Sequence, residues 1–310
     1  MASALDLGII IVNYNVCALL RRCLQTVFAS DGDLRFKVVV VDNQSGDDSL
    51  AMVRQEFPQV EIIANDFNAG YPAANNQGLR LLGVDKADDR VASLDEALQP
   101  RYCLLLNPDT EVEPDTIPTL IRFLDETPNV GVVGPRLMLP NGELDHACRR
   151  GFPTPQASFY YMFGLSRLFP GSRYSRYDLK HLDIHQQMDV DSVTGAFMLV
   201  RTTAIREVGL LDDRFWMYGE DLDWAKRIKD AGWRVVYNPV VTALHVKDQS
   251  ARQNPRARLE FYRAMPIFYY KHYRKQTPFW LHIMVLAGIL LKGGWPLWPT
   301  IRAGSAVLQK

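Results

Sequence analysis

The chain has 310 residues, 47% hydrophobic and 23% charged, and its 35 basic and 35 acidic side chains cancel to a formal net charge of zero. This is the profile of an ordinary soluble globular protein of one large or two smaller domains, long enough to bury a core without staples. It excludes a generally basic nucleic-acid binder and an acidic disordered chain. Cys17, Cys23, Cys103 and Cys148 form no CxxC pair and no zinc-type Cys/His spacing. Such cysteines read as reduced thiols in a cytosolic compartment.

A first strand is expected at Ile9–Val12, ending in Asn13-Tyr14-Asn15. No basic n-region of a signal peptide precedes it, and no stretch reaches the ~20 apolar residues of a spanning helix. Leu19, Leu20, Cys23, Leu24, Val27 and Phe28 then fall at helical spacing. Val38–Val41 is a four-valine run, expected as a strand covered on both faces, and it stops at Asp42-Asn43. A helix to Phe57, a strand at Val60–Ala64 ending in Asn65 and a helix at Ala73–Leu82 follow. A fourth strand at Leu104–Leu106 ends in Asn107-Pro108-Asp109. The polar stretch from Asp85 to Arg90 reads as a surface insertion, with a short helix around Leu94–Leu98. Further on, a helix from Pro114 to Glu126 and strands at Val130–Val133, Val193–Val200 and Trp233–Tyr237 are expected. Between the last two lies a helix at Asp221–Ala231, closed by Gly232. The region Gly134–Tyr177 carries no clear period.

Four strands thus stop at Asn or Asp. In an open α/β sheet, ligands bind outside the carboxyl ends of the strands, so these polar ends point to one crevice, although Asn and Asp also simply begin turns. No GxGxxG follows the first strand and no GxxxxGK[ST] is present, which argues against dehydrogenases and P-loop NTPases.

The segments Ile9–Asn15, Val38–Asp47, Asn68-Ala69-Gly70-Tyr71, Asn75-Asn76-Gln77-Gly78 and Leu106–Asp109 stand in a telling order. Gly134-Pro135-Arg136, Gly195-Ala196-Phe197, Tyr218–Asp223 and His245 continue it. Over residues 7–250 this ordered set resembles the family 2 glycosyltransferases, most of all the rhamnosyltransferase branch that builds bacterial cell-surface polysaccharides. The resemblance implies an α/β GT-A (Rossmann-like) fold with a mixed central sheet flanked by helices. It makes residues 1–250 a catalytic domain and 251–310 a C-terminal helical extension.

Such an enzyme must hold a nucleotide diphosphate, neutralise the leaving group and deprotonate an acceptor hydroxyl. Mg²⁺ or Mn²⁺ serves the second need, taking few protein ligands beside phosphate oxygens. The family's Asp-x-Asp motif stands here as Asn107-Pro108-Asp109, leaving Asp109 as the acidic ligand and Asn107 free to bond ribose or a metal-bound water. By resemblance His245 completes the metal site; without it, a His between Leu244 and Val246 reads as a core residue. Glu220-Asp221 opens a helix, where carboxylates are also favoured by the helix dipole. The family places its general base at Asp221, with Glu220 as the alternative, in a single displacement that inverts the anomeric centre.

Tyr14 is expected to stack on a pyrimidine and Asp42 to accept its N3–H, with Asn13 and Asn43 in support. Arg149-Arg150 suits either a diphosphate or an anionic acceptor, or a solvated surface pair. Trp216 and Tyr218 suit an acceptor platform or the core. The expected donor is a dTDP- or UDP-sugar, rhamnose by resemblance, and the acceptor a glycan or lipid-linked hydroxyl, with no nucleic acid involved. The rival reading is a catalytically inactive nucleotide-sugar-binding protein.

From Arg252 to Lys275 there are seven Arg or Lys against Glu260 alone, with six Phe or Tyr among them. The apolar run Ile283–Leu291 follows, flanked by Trp280, Trp295 and Trp298. This suits either a peripheral contact with the inner face of the cell membrane, from the cytoplasm, or a helix docked on the catalytic domain.

Overall fold

The computed structural model describes residues 5–85, 99–162, 177, 179–247 and 256–308. The short helix expected at 94–98 and the basic residue Arg252 lie outside them.

The apolar runs become the centre of one mixed sheet. Strands β1 (Leu7–Asn13), β2 (Phe36–Asp42), β3 (Glu61–Ala64) and β4 (Tyr102–Leu106) are parallel. Strand β1 is buried along its whole length, as expected for a strand covered on both faces. Helices α1 (Cys17–Phe28), α2 (Ser49–Glu56) and α3 (Tyr71–Leu81) make the crossovers. A short β5 (Thr110–Val112) and α4 (Thr116–Glu126) lead into β6 (Val130–Met138), followed by α5 (Pro155–Met162) and β7 (Met188–Asp189). Then come β8 (Phe197–Arg201), α6 (Thr202–Val208), α7 (Glu220–Asp230) and β9 (Arg234–His245). The order across the sheet is β3-β2-β1-β4-β8-β6-β9-β5, with β7 paired to β9. Strand β8 runs antiparallel to both neighbours.

Three strand limits differ from expectation by more than two residues. Strand β8 starts at Phe197, because residues 193–196 leave the ladder in a turn closed by the Phe197 N–H on the Thr194 carbonyl. Strand β6 continues to Met138, through Gly134-Pro135. Strand β9 runs on past Pro239 to His245. Its register against β6 jumps from Pro135↔Asn238 to Arg136↔Thr242, a bulge that accommodates the proline. The end of β9 thereby turns onto β5, pairing Thr110 with His245.

The C-terminal segment folds into α8 (Ala257–His272), α9 (Phe279–Gly293) and α10 (Trp298–Ala303). Tyr269, Tyr270, Leu281, Val285, Ile289, Leu297 and Ile301 pack among themselves as a separate cluster. A second cluster, Phe215 and Leu222 with Ala264, Ile267 and Phe268, fixes α8 to the start of α7. Among the described residues no helix is long and apolar enough to cross a membrane. All four cysteines are free thiols.

Candidate active site

A cavity of about 960 Å³ lies beyond the carboxyl ends of β1, β2 and β4 and extends under α8 and α9. Its first end is polar. Tyr14, Asn43, Asn107 and Asp109 reach its wall. Asn13 and Asp42 do not: both are buried behind it. The Asn13 amide donates to Asp42 Oδ1 (2.8 Å) and Ser45 Oγ (3.0 Å), and the Ser45 N–H donates to Asp42 Oδ2 (2.8 Å). These bonds tie together the strand ends that carry Tyr14 and Asn43. Asn43 donates to the Gly70 carbonyl (3.2 Å) and accepts from Asn65 (2.9 Å). Gly70 has φ +86°, and a Cβ there would meet the Trp216 carbonyl at 2.4 Å, so only glycine fits this junction.

Asp109 and His245 meet because β5 pairs with the far end of β9. His245 Nε2 lies 3.4 Å from Asp109 Oδ1, and neither atom has a hydrogen-bond partner although both are buried. Among the described residues no group of three or more His, Cys, Asp or Glu forms a metal cluster. A hard cation that keeps waters and phosphate oxygens needs only one or two protein ligands, and an orphaned carboxylate oxygen facing an orphaned imidazole nitrogen fits it. Behind the pair, His245 Nδ1 bonds Asp145 Oδ2 (2.8 Å) and Lys247 Nζ donates to Asp145 Oδ1 (2.6 Å). A carboxylate on the second nitrogen is the usual outer support of a ligating imidazole. Burial opposes charge on His245, but the flanking Asp109 and Asp145 outweigh it and push its pKa up to about 9. Burial also works against the Asp145 carboxylate, yet the bonds from His245 and Lys247 hold its pKa well below the usual range. Asp145 escaped the sequence reading. It lies in the aperiodic stretch after β6, and its only local sign is a turn with the Ala147 N–H.

Glu220 and Asp221 line the middle of the cavity. Tyr218 (φ +69°) and Gly219 (φ +81°) precede them in left-handed conformations, uncommon for a tyrosine and a sign of strain at this turn. Asp221 accepts from Arg150 Nη2 (2.6 Å), the Gly195 N–H (3.2 Å) and the Leu222 N–H (2.7 Å). Residues 193–196, which left the β8 ladder, thus help to hold this carboxylate. Glu220 is buried with Oε2 unpartnered; burial first, then Asp221 beside it, push its pKa well above the usual carboxylate range.

The arginine pair is neither a solvated surface pair nor equally placed. Arg149 is fully buried and donates to the carbonyls of Asp183 (3.0 Å) and Leu182 (2.8 Å), a structural role. Arg150 faces the cavity on Asp221. Tyr218 is on the wall, whereas Trp216 lies under the Arg256 guanidinium, 4.4 Å from its ring centre. Helix α7 is also clamped to α8. Asp223, fully buried, accepts from Arg227 (2.9 Å), and from Lys271 and His272 of α8 (both 2.7 Å).

The second end of the cavity is apolar, lined by Phe261, Tyr262, Met265, Val285 and Ile289 of α8 and α9, with Arg258 and Lys292. Nothing in the sequence motifs pointed to these helices as part of the site; their basic and aromatic composition was the only sign.

Residues 8–208 match the family model described as glycosyl transferase family 2. The chain is 28% identical over 223 residues to the N-acetylglucosaminyl-diphospho-decaprenol L-rhamnosyltransferase of Mycobacterium tuberculosis, covering 72% of this chain and 70% of that protein. It is 26% identical over 243 residues to rhamnosyltransferase WbbL of Escherichia coli, covering 76% and 82%. The crystal structure of GalNAc-T7 with UDP, GalNAc and Mn²⁺ superposes with a TM-score of 0.57 at 14% identity, over 94% of this chain but only 54% of that one, a likeness of fold alone. With one family matching well over half its length, and with that family's sheet at its centre, the chain belongs to glycosyl transferase family 2: it is a glycosyltransferase of GT-A fold and rhamnosyltransferase-like kind.

Proposed function

We propose that this glycosyltransferase moves rhamnose, with inversion, from a dTDP- or UDP-linked donor to a hydroxyl of a lipid-linked acceptor in cell-surface polysaccharide synthesis. The sugar and the acceptor class follow the names of its relatives. The observation that carries the reading is one cavity with an orphaned Asp109–His245 pair at its polar end and the Glu220–Asp221 pair beside it.

Tyr14 stacks on the base, with Asn43 and Asn107 bonding the nucleoside, while Asn13 and Asp42 brace the loops around it. Asp109 and His245 would hold Mg²⁺ or Mn²⁺, which when bound would supply positive charge beside the diphosphate. Asp145 keeps the His245 ring oriented. Asp221 takes the proton of the acceptor hydroxyl at one of its carboxylate oxygens, aimed by Arg150 and two backbone N–H groups. Glu220, raised by burial, carries its own proton near neutrality and serves as a hydrogen-bond donor in the site.

The C-terminal helices rest on an anionic membrane surface. Of the thirteen large exposed hydrophobic side chains among the described residues, nine lie between Leu259 and Trp298. Trp295 and Trp298 stack on each other within that set. Aromatic and basic side chains beside a short apolar helix suit an interface rather than a span.

The test incubates the full chain with dTDP-rhamnose, Mg²⁺ or Mn²⁺ and a short polyprenyl-diphospho-sugar. The expected result is a product of inverted anomeric configuration, lost in excess chelator and restored by the metal. Full turnover in chelator removes Asp109 and His245 from the metal role. A retained configuration removes the single displacement.

A further inference from the structure

Helices α8 and α9 form an antiparallel hairpin with two unlike ends. At one end Tyr262 packs against Gly293, where an added Cβ would sit 2.8 Å from the tyrosine Cβ. At the other, the Tyr269 hydroxyl and His282 Nδ1 are 2.9 Å apart. The cavity runs along this hairpin. Arg258, one turn before Tyr262, and Lys292, next to Gly293, mark the first end. Met265, Val285 and Ile289 line the stretch beyond them. Phe261 of the cationic end meets Tyr218 edge-on at 5.6 Å, two residues from Glu220. Ala264, between Phe261 and Met265, stands 3.3 Å from where a Cβ on Gly219 would sit, so the groove passes the turn that leads into Glu220 and Asp221. On the other side of the same helix, Phe279, Trp280, Ile283, Met284 and Leu291 are exposed.

We infer that this hairpin is a lipid-phosphate subsite. A phosphate lies between Arg258 and Lys292, and one hydrocarbon chain lies along Met265, Val285 and Ile289. The outer face of α9 sits on the bilayer from which the chain enters. A ligand anionic at one end and apolar at the other matches both ends of the groove at once. A free sugar would leave the apolar stretch wet, and a free phosphate would leave it empty. The inference rests on the reading of the chain as a transferase to a hydroxyl acceptor, and names the part of the acceptor that the C-terminal helices hold.

The experiment measures equilibrium binding to the full chain of monomeric farnesyl phosphate, with farnesol and inorganic phosphate as separate probes. Binding of dTDP with Mn²⁺ is followed in parallel. Farnesyl phosphate should bind saturably at one site, and each half-probe at least about ten-fold more weakly. The double variant Arg258→Gln/Lys292→Gln and the groove-filling Ile289→Trp should each weaken it about ten-fold or more while dTDP binding holds. Absent binding overturns the subsite, as does binding that both variants leave intact or that farnesol matches. Both cations are exposed, so the double variant decides even where Ile289→Trp fails to fold. Loss of dTDP binding in the unmodified protein counts against the donor reading instead, and leaves the lipid result to be judged alone.

Discussion

The two ends of the cavity are built by different means. The polar end, the proposed donor site, is made of neighbouring strand termini cross-braced by short polar side chains: Asn13 to Asp42 and Ser45, Asn65 to Asn43 and Gln77. The middle and the far, apolar end are assembled from distant segments. Arg150 reaches Asp221 across 71 residues of sequence, and Lys271 reaches Asp212 across 59. In the proposed function the polar end, pre-built, recognises the nucleotide; the other end offers apolar helix faces held in place by a few buried ion pairs. The difference teaches where each kind of substitution should act: chemistry in the middle, metal affinity at the donor end and assembly at the acceptor end.

The largest effect is expected at the junction of the two ends. Asp221→Asn keeps the shape of the side chain and can still accept from Arg150, but it cannot take a proton. Turnover should fall by about 10²–10⁴ while donor affinity stays near that of the unmodified protein. A variant that keeps its rate while Glu220→Gln is dead would move the base to Glu220.

Next comes the clamp that joins α8 to α7. Burial works against the Asp223 carboxylate, but His272, Arg227 and Lys271 together outweigh it and hold its pKa down. Its stabilising effect is therefore present above the unfolded carboxylate range and lost as pH falls through the depressed value. Breaking a buried ion pair on one side costs up to about 3–5 kcal/mol. Asp223→Asn should lower the denaturant midpoint, with a smaller difference from the unmodified protein in acid. If stability is unchanged, the acceptor end is held by its apolar cluster alone.

How much of this could be read in the sequence follows the same division. The four parallel strands announced themselves as apolar runs, and each polar strand end stood next to its run, so Tyr14, Asn43, Asn107 and Asp109 were legible as cavity residues. At Asp42 the strand end was legible, but not the bonds from Asn13 and Ser45 to its two carboxylate oxygens. His245 needed the family resemblance, because its approach to Asp109 depends on a bulge around Pro239 that shifts the register by tertiary pairing. Asp145 and the groove of α8 and α9 were not legible, and the arginines were legible only as a pair, not that Arg150 alone would meet Asp221. They act through contacts across tens of residues, and hydrophobic period carries no record of which distant segment a side chain will meet.

Asp145 tests the donor end. Asp145→Asn removes the carboxylate from His245 Nδ1 and from Lys247 without touching the proposed ligands. Loss of such an outer partner typically costs 10–100-fold in metal affinity. The variant should need that much more Mn²⁺ for half-maximal turnover and should recover at saturating metal, whereas Asp109→Ala should not. Equal metal dependence in Asp145→Asn and the unmodified protein would reduce Asp145 to a partner of Lys247.

The smallest effect is expected at Glu220, where the two ends meet and burial is least compensated. Its pKa is raised in the folded protein, so between the unfolded carboxylate value and the raised one the folded state binds a proton that the unfolded state does not. The cost of burying this carboxylate is thus absent in acid and grows as pH rises through that window. Glu220→Gln cannot ionise, keeps a donor in place of the acid proton, and removes the repulsion with Asp221. Its Tm should match that of the unmodified protein near pH 4–5 and exceed it by about a few degrees near pH 9. The difference should widen steadily between those limits, read by thermal melts in matched buffers. A Tm difference that stays flat with pH, or that reverses, would mean that Glu220 is charged in the fold. Arg150 would then be balancing two carboxylates rather than aiming one.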